Sequence, residues 1–165
     1  MVCKEASLQD LELRWDKDIA ENAGDDRWSA WKKRSILENR NGLIKTFCAL
    51  DKEDIVGVGT LALDPASGQL NGNGSLANKD TANVCALRVD EKYQGKGIAS
   101  GLVRFAEAWA LGHGIKNLTI GVEPKDVKNM QIYFHLGFTE FIMWNKEKYS
   151  PEDEPVLVLY YRKRL

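Results

Sequence analysis

Cysteine is scarce in this sequence, and the cysteines that occur lie far apart. Only three are found among 165 residues, Cys3, Cys48 and Cys85, each within a separate apolar stretch. A zinc site or a redox motif requires cysteines a few residues apart in the sequence, and these three cysteines form no such pair. We therefore predict free thiols buried in the core and no metal site.

Long apolar runs and an excess of either charge are also lacking. No stretch of about 18 apolar residues occurs, and the N-terminal segment has no apolar core of signal-peptide length. Lysine and arginine total 23 against 24 acidic residues, so no overall positive field attracts nucleic acid or an anionic membrane. These absences predict a cytoplasmic protein that binds neither nucleic acid nor membrane. Its expected partner is a small molecule or a peptide, and the expected oligomeric state is a monomer or homodimer.

The sequence does contain enough apolar material for one ordinary core. Hydrophobic residues make up 44% of the chain, and this fraction at this length is typical of one compact unit. No internal repeat or linker divides the sequence. We therefore predict a single domain over residues 1–165.

Two amphipathic helices are predicted in the N-terminal part of the chain. Ser7 can cap a helix that carries Leu8, Leu11 and Trp15 at helical spacing. The segment DDRWSAWKKRSILENRNG, residues 25–42, begins with acids and ends with glycine, which predicts a second helix. Packing in the core is the preferred interpretation of the tryptophans in these helices, and a substrate groove is the alternative.

The middle of the chain predicts a hairpin, a loop and a buried strand. LIKTFCAL and IVGVGTLALD flank the turn-forming DKED and are rich in strand formers, which predicts an antiparallel hairpin. PASGQLNGNGSLANKD, residues 65–80, predicts a mobile loop, because its NGNG lacks the lysine and hydroxyl ending of a P-loop. TANVCALRV, residues 81–89, is almost continuously apolar, which predicts a strand buried on both faces.

A glycine-rich turn follows this strand at YQGKGIAS, residues 93–100, and a helical pattern begins at Ile98. NLTIGV then supplies another strand, so the pattern predicts a right-handed crossover between two parallel strands. A helix start presents unpaired N–H groups and a partial positive charge. Gly95 and Gly97 allow a ligand to approach the main chain closely, and Lys96 adds positive charge. The turn is therefore predicted to hold a phosphate group.

Two other interpretations fit the same glycines. The turn could be a tight connection that binds nothing. It also partly matches the GxGxxG pattern of dinucleotide-binding folds, with Glu123 as the acidic residue further along the chain. The residues DEKYQ separate the strand from the glycines, and only one crossover is visible. Both features disfavour the dinucleotide fold.

The C-terminal part of the chain predicts a helix and a pair of closing strands. Gly137 is a candidate left-handed cap at the end of the helix. FTEFIMW and VLVLYYRKRL enclose the loop NKEKYSPEDEP and predict an antiparallel pair. The sheet is therefore mixed, and the predicted fold class is α+β.

These motifs together resemble the GNAT superfamily of acyl-CoA-dependent N-acyltransferases. The family's pyrophosphate-loop pattern is glutamine or arginine, two residues, glycine, one residue, then glycine or alanine, and Gln94, Gly97 and Ala99 match it. IYFHLGF falls where the family often has LYEKLGF, and the motifs together cover residues 81–144. The resemblance implies an α/β three-layer arrangement: a mostly antiparallel sheet with a central parallel strand pair, flanked by helices.

The resemblance also implies how acetyl-CoA binds as co-substrate. Main-chain groups of Leu87, Arg88 and Val89 are expected to hold the pantetheine arm as an added strand, where the two parallel strands splay apart. Asp126 stands where the family often has an asparagine that contacts the cofactor. An ionised carboxylate cannot donate hydrogen bonds, so helix capping is the alternative role for Asp126. The residues expected around the pyrophosphate are Gln94, Gly95, Lys96, Gly97, Ile98 and Ala99.

Two residues are predicted to be catalytic. Tyr133 matches the tyrosine that often protonates the departing CoA sulfur in the family, and a packed helix aromatic is the alternative. Many family members carry a glutamate in the strand before the loop, but TANVCALRV contains no acid. Glu123 is the predicted base because it lies at the carboxyl end of a parallel strand; an ordinary surface carboxylate is the alternative. His135 does not share a helix face with Tyr133, and His113 lies in a turn, so neither is predicted to act.

The sequence thus predicts an N-acetyltransferase that moves an acetyl group from acetyl-CoA to a primary amine by direct attack. Nothing near Cys85 in the sequence would activate it as an acyl carrier. The alternative is a CoA-binding sensor or structural protein that performs no transfer. The acceptor could be a polyamine, an antibiotic, an amino acid or a protein terminus, and the two N-terminal helices and the loop after Tyr149 are the predicted walls of its site.

Overall fold

The computed structural model describes residues 1–165, which form one seven-stranded sheet and four α-helices. The strands are β1 (Val2–Glu5), β2 (Ile44–Asp51), β3 (Asp54–Ala62), β4 (Thr81–Val89), β5 (Asn117–Val122), β6 (Glu140–Glu147) and β7 (Val156–Arg164). The helices are α1 (Leu8–Glu21), α2 (Arg27–Arg40), α3 (Ile98–Gly112) and α4 (Val127–His135). None of these helices combines the length and the apolar character that crossing a membrane requires.

The sheet has the mixed topology that the sequence predicts. Its strand order is β1-β2-β3-β4-β5-β7-β6, and only β4 and β5 run parallel. The other neighbouring pairs are antiparallel. The predicted fold class, with a mostly antiparallel sheet and a central parallel pair, is confirmed.

Successive residues of β2 place the helices on opposite faces of this sheet. The Thr46 hydroxyl accepts a hydrogen bond from the Asn39 amide of α2 at 3.0 Å. The next side chain, Phe47, meets the ring of Phe105 in α3 edge to face, with ring centroids 5.7 Å apart. Because neighbouring side chains of a strand point to opposite faces, α2 and α3 lie on opposite sides of the sheet. The protein therefore has three layers.

Local sequence signals explain where the N-terminal helices begin and end. The Ser7 hydroxyl accepts from the Asp10 N–H at 3.1 Å, and the Asp10 carboxylate accepts from the Ser7 N–H at 2.8 Å. This reciprocal pair is a capping box and fixes the start of α1. Helix α2 ends at Arg40, before Asn41 and a Gly42 with φ of 75°. Both predicted helices are present.

The main core lies between α3 and the sheet. Apolar residues recur along α3 at intervals of three and four, and Leu102, Val103, Ala106 and Ala110 are all buried there. They pack against buried residues of the central strands, among them Leu118 of β5. This packing fixes the start of α3 relative to the parallel pair β4–β5.

The parallel strands separate before they end. Their pairing runs from Thr81 and Asn117 to Val84 and Ile120, although β4 continues to Val89 and β5 to Val122. The antiparallel pairing of β3 with β4 also shifts at this point, and Ala86 there has a φ of 49°. A β-bulge of this kind bends the strand. The bend of β4 accounts for the gap between the two parallel strands.

Two local predictions need correction. The segment predicted as a mobile loop, residues 65–80, contains two short 3-10 turns whose Leu70 and Leu76 are buried against the sheet. The strand predicted to be buried on both faces is fully buried only in its first half, because the half after Val84 borders the gap. The periodicity of the sequence carries no signal for either effect.

The cysteines are all free, as predicted, but only one of them is fully buried. Cys48 has no exposed surface, whereas Cys3 and Cys85 are partly buried. The Cys85 thiol lies 3.6 Å from the Thr60 carbonyl oxygen. The prediction of buried thiols therefore holds in full for Cys48 alone.

Candidate active site

The glycine turn before α3 has the backbone that a bound anion requires. Gly95 and Gly97 have φ of 74° and 78°, a region that other residues adopt only with strain. A Cβ atom added at either glycine would meet no atom within 4 Å, so the space above the turn is open. Gly97 is also the N-cap residue of α3. The conformations predicted for these glycines are confirmed.

The main chain of this turn presents a continuous run of free donors. The N–H groups of Tyr93 and Gln94 are bonded to Asp90 and Glu91, and the next bonded N–H is that of Gly101, which donates to the Gly97 carbonyl. From Gly95 through Ser100, no backbone N–H has an acceptor in the protein. Free N–H groups at a helix start, together with the helix dipole, form an anion site.

A cavity of about 280 Å³ opens where β4 and β5 separate. Its floor includes Val84, Cys85 and Ala86 of β4 and Gly121 of β5. Glycine is required at position 121, because an added Cβ atom would lie 2.8 Å from the ring of Tyr160. A cavity at the carboxyl ends of parallel strands is a common location for ligands.

The cavity walls come from elements that are distant in sequence. Trp15 of α1 and Trp31 and Arg34 of α2 form one side. Tyr149, in the loop between β6 and β7, and Tyr160 of β7 form the other. Residues of both N-terminal helices therefore line this cavity. The β6–β7 loop contributes Tyr149 itself, and no later residue of that loop.

The sequence of the chain matches a known family. The sequence profile of the acetyltransferase (GNAT) family matches residues 6–138, which is more than half of the chain. The chain belongs to the GNAT family. This confirms the predicted family and, at the level of the family, the predicted enzyme class and acetyl-CoA as its co-substrate.

One curated GNAT relative matches over a limited segment. A streptothricin acetyltransferase from Escherichia coli is 30% identical over 60 residues, covering 36% of this chain and 34% of the relative. The chain thus matches about a third of that relative's length. Family membership rests on the profile match, and this segment adds to it.

Solved structures share the GNAT fold along most of the chain. A ribosomal-protein-alanine N-acetyltransferase from Brucella melitensis has a TM-score of 0.72 at 18% identity and full coverage of both chains. A mutant of the spermidine N-acetyltransferase SpeG from Vibrio cholerae has a TM-score of 0.71 at 13% identity, covering 99% of this chain and 95% of that one. A GNAT structure from Elizabethkingia anophelis with acetyl-CoA bound has a TM-score of 0.61 at 16% identity, with coverages of 79% and 82%.

Tyr133 lies on α4, partly buried against the main core of this GNAT fold. Burial and the nearby Asp126 carboxylate raise the pKa of Tyr133 to about 12. The phenol therefore keeps its proton at neutral pH and can serve there as an acid but not as a base. It does not line the cavity. Its predicted role in protonating sulfur stays a prediction.

Asp126 occupies the N-cap position of α4, but its side chain makes no capping hydrogen bond. The carboxylate accepts instead from the side-chain amide of Asn129 at 2.6 Å. The sequence thus located the helix start correctly, while the capping bond that it suggested is absent. The predicted contact of Asp126 with acetyl-CoA stays a prediction.

Glu123 follows β5 and reaches the cavity only through another residue. Its carboxylate accepts from the Tyr149 hydroxyl at 2.9 Å and pairs with the Lys125 ammonium at 2.9 Å. The hydrogen bond from Lys125 is the main cause that lowers the pKa of Glu123. His135, in contrast, is exposed at the end of α4, and His113 stacks on Trp109 at the end of α3.

The stretch Leu87 to Val89 borders the gap, as the family resemblance implies. Leu87 and Val89 pack their side chains against the main core, whereas Arg88 turns toward the cavity. The Arg88 guanidinium donates to Asp18 at 2.9 Å and lies 4.5 Å from the ring centroid of Trp15. A cation over an aromatic face is stabilised by the ring quadrupole.

The tryptophans of the N-terminal helices pack against one another, and two of them also line the cavity. Trp15 is 6% exposed and packs edge to face with Trp28 at 6.3 Å. Trp28 and Trp31 are only partly buried, and Trp15 and Trp31 line the cavity. The preferred interpretation, core packing, therefore holds for Trp15, while the alternative of a substrate groove at Trp15 and Trp31 stays a prediction.

Sequence reasoning missed the most polar part of the cavity. Glu147, at the end of β6, is 4% exposed and accepts hydrogen bonds from the amides of Asn71 and Asn73 and from the Tyr160 hydroxyl. No lysine or arginine forms an ion pair with this carboxylate. Arg34, which also lines this cavity, was not predicted as a site residue either. Only the three-dimensional convergence of the 65–80 segment with β6 and β7 reveals this group.

Proposed function

We propose that this GNAT protein transfers the acetyl group of acetyl-CoA directly to the primary amine of a second substrate. The observation that carries the proposal is the run of free backbone N–H groups from Gly95 through Ser100 at the start of α3. A diphosphate needs several donors at short range, and charge-assisted hydrogen bonds of this kind are strong. These residues include the predicted pyrophosphate contacts Gly95 to Ala99, and Gln94 precedes them directly.

The gap between β4 and β5 supports a position for the pantetheine arm. An extended chain with amide groups can add to an exposed strand edge through main-chain hydrogen bonds. Beyond Val84, β4 no longer pairs with β5, and this free part includes Leu87, Arg88 and Val89. Acetyl-CoA held at both places would direct its thioester toward the cavity where the strands separate.

The proposed reaction begins with an amine that has lost its proton, since an alkylammonium has a pKa of about 10.4 and is not nucleophilic. The nitrogen lone pair attacks the thioester carbonyl carbon, and a C–N bond forms as the C–S bond breaks. The sulfur leaves as a thiolate and takes a proton from an acid, while a base accepts the proton of the amine. The products are the N-acetylated amine and CoA with a free thiol.

Two residues of the chain are proposed to move these protons. Tyr133 is the proposed acid, because it occupies the position of the tyrosine that often protonates the sulfur in the family and its phenol carries a proton at neutral pH. Glu123 is the proposed base, acting through the Tyr149 hydroxyl that it holds at 2.9 Å. Its lowered pKa keeps the carboxylate ionised and able to accept. Glu147 lies in the cavity wall itself and is a second candidate for the base.

Direct transfer predicts that Cys85 carries no acetyl group during the reaction. Burial raises the pKa of the Cys85 thiol to about 12, and the thiolate is the nucleophilic form. We expect the intact mass of the protein to be unchanged after incubation with acetyl-CoA alone. A stoichiometric acetyl group on Cys85, located by peptide mass spectrometry, would show a covalent intermediate instead.

The release of free CoA thiol across a broad panel of amines tests the proposed function. The expected result is thiol release that depends on an added amine, with one acetyl group found on that amine by mass spectrometry. Glu123→Gln and Glu147→Gln then compare the two candidate bases, because loss of the base lowers turnover most at low pH. Binding of acetyl-CoA with no release for any amine in the panel would favour a sensor instead.

A further inference from the structure

The cavity contains an arginine that no other residue neutralises. Arg34 of α2 lines the cavity, and its Nε atom is buried without a hydrogen-bond partner. No carboxylate of the chain forms an ion pair with Arg34. A buried donor without a partner costs free energy, and the cost is larger for a charged group. A buried donor of this kind requires an explanation, and an acceptor supplied by a bound ligand at the same guanidinium is one of them.

The position of Arg34 is fixed by close packing. Its Cδ atom lies so near Gly68 that a Cβ atom added there would be 2.8 Å away. The neighbouring Glu38 carboxylate is occupied by the Ser67 hydroxyl at 2.7 Å and by the Gly68 N–H at 2.8 Å. The 65–80 segment therefore packs against Arg34, and its Ser67 and Gly68 occupy the Glu38 carboxylate with their own hydrogen bonds.

A second guanidinium with a free donor lines the same cavity. The Nε atom of Arg88 is also buried without a partner, although another nitrogen of the same group donates to Asp18. Asp18 is held in turn by Arg14, at 2.8 Å. Burial lowers the pKa of Arg88 from its usual value. Arg34 and Arg88 thus both line the cavity, and the Nε atom of each guanidinium is buried without an acceptor.

The cavity also contains a carboxylate without a cationic partner. Glu147 is bonded to two side-chain amides and the Tyr160 hydroxyl, all of which are neutral groups. A buried carboxylate is stabilised further when a cation binds beside it. One cavity therefore has a place for a negative group at its arginines and a place for a positive group at Glu147.

We infer that the acceptor is an amine that also carries a carboxylate, of the amino-acid class. The carboxylate binds to Arg34 and Arg88, since guanidinium groups match carboxylates in geometry and charge. The amine enters as an ammonium on the side of Glu147, and the aromatic walls formed by Trp15 and Trp31 take the side chain. This inference rests on the proposed function, because it names the substrate of the same site.

The volume and the charge of the cavity favour a small acceptor and disfavour a polyamine. Its volume of about 280 Å³ is near the lower end for small-molecule sites, which run from about 300 to 1,000 Å³. A polyamine would place positive charge beside Arg34 and Arg88, and like charges in a desolvated site repel strongly. The substrate named for the Vibrio cholerae relative is therefore a poor match for this cavity.

Matched acceptor pairs test the inference. We expect at least one standard L-amino acid to be acetylated with a kcat/KM about 100-fold above that of its own carboxamide, because unpaired arginines penalise the neutral analogue. Each pair has the same amine and side chain and differs only in the carboxylate. Equal or better use of the carboxamides or of the decarboxylated amines would overturn the inference, as would acetylation of other amines while no amino acid is acetylated.

The variant Arg34→Gln adds a residue-level test. We expect its KM for the amino acid to rise about tenfold or more, as the loss of one charge-assisted hydrogen bond implies, with an unchanged KM for the carboxamide. Arg40→Gln, on the exposed last turn of the same helix, is the control and keeps the wild-type preference. An Arg34→Gln enzyme with the same preference as wild type would contradict the assignment.

A binding measurement separates this inference from the proposed function. Calorimetry with an amino acid and no acetyl-CoA should detect binding that Arg34→Gln weakens and Arg34→Lys partly restores. That result would stand even if the protein released no CoA thiol, in which case only the proposed transfer would fail. If CoA thiol is released with amines and no amino acid binds, the transfer stands and the carboxylate site is wrong.

Discussion

Replacing Gly97 by valine is expected to weaken acetyl-CoA binding by about 100-fold or more, since several charge-assisted hydrogen bonds to the diphosphate would be lost. Gly97 has a φ of 78°, in a region that β-branched residues avoid. Relief of that strain moves the N–H groups that follow it, and the new side chain fills the open space above the turn. Calorimetric titration with acetyl-CoA measures the effect.

Gly114→Val is a matched control for Gly97→Val. Gly114 follows α3, has a φ of 79°, and has nothing within 4 Å of an added Cβ atom. Both variants therefore carry a similar backbone strain, on the order of 1–2 kcal/mol. We expect similar losses in the free energy of unfolding but loss of acetyl-CoA binding in Gly97→Val alone. Equal acetyl-CoA affinities in the two variants would remove the turn from the binding site.

Tyr133→Phe is expected to lower kcat by about 100-fold, within the range that general acid catalysis supplies. The phenylalanine keeps the aromatic packing of Tyr133 against the main core, so the fold and the affinity for acetyl-CoA should be unchanged. Because the pKa of Tyr133 is about 12, its deprotonation should not limit the wild-type rate near neutral pH. Single-turnover measurements isolate the chemical step from product release.

Tyr161→Phe is the control for the loss of a tyrosine hydroxyl. Tyr161 packs against the same core, and Phe134 of α4 meets its ring edge to face at 4.9 Å. We expect this variant to keep the wild-type kcat. If Tyr133→Phe and Tyr161→Phe have the same single-turnover rate as wild type, the proton for the sulfur comes from another donor.

The elements with strong local signals were predictable from the sequence. The cap at Ser7, the stop at Gly42 and the apolar spacing of α3 each act over a few residues, so their effects can be read locally. The same holds for the glycine turn, because positive φ at Gly95 and Gly97 is a property of those residues themselves. The conformation of the turn could therefore be predicted without a structure.

The charged groups of the cavity could not be predicted, because their positions depend on contacts between distant segments. Arg34, Arg88 and Glu147 lie on α2, β4 and β6, and nothing in the sequence indicates that they meet. Asn71 and Asn73 sit in a polar, glycine-rich segment that is typical of a loop, yet they bind the Glu147 carboxylate. The bulge at Ala86 is another nonlocal effect, since a single alanine carries no signal for a φ of 49°.

The N–H groups of the turn test the central claim most directly. The claim is that the amides from Gly95 through Ser100 hold the diphosphate of acetyl-CoA. When acetyl-CoA is titrated into the protein and followed by ¹H–¹⁵N NMR, the amide signals of these residues are predicted to shift strongly. The shifts should saturate at the same acetyl-CoA concentration as the heat of binding measured by calorimetry. If acetyl-CoA binds while these amide signals stay in place and amides elsewhere in the protein shift, the claim is wrong.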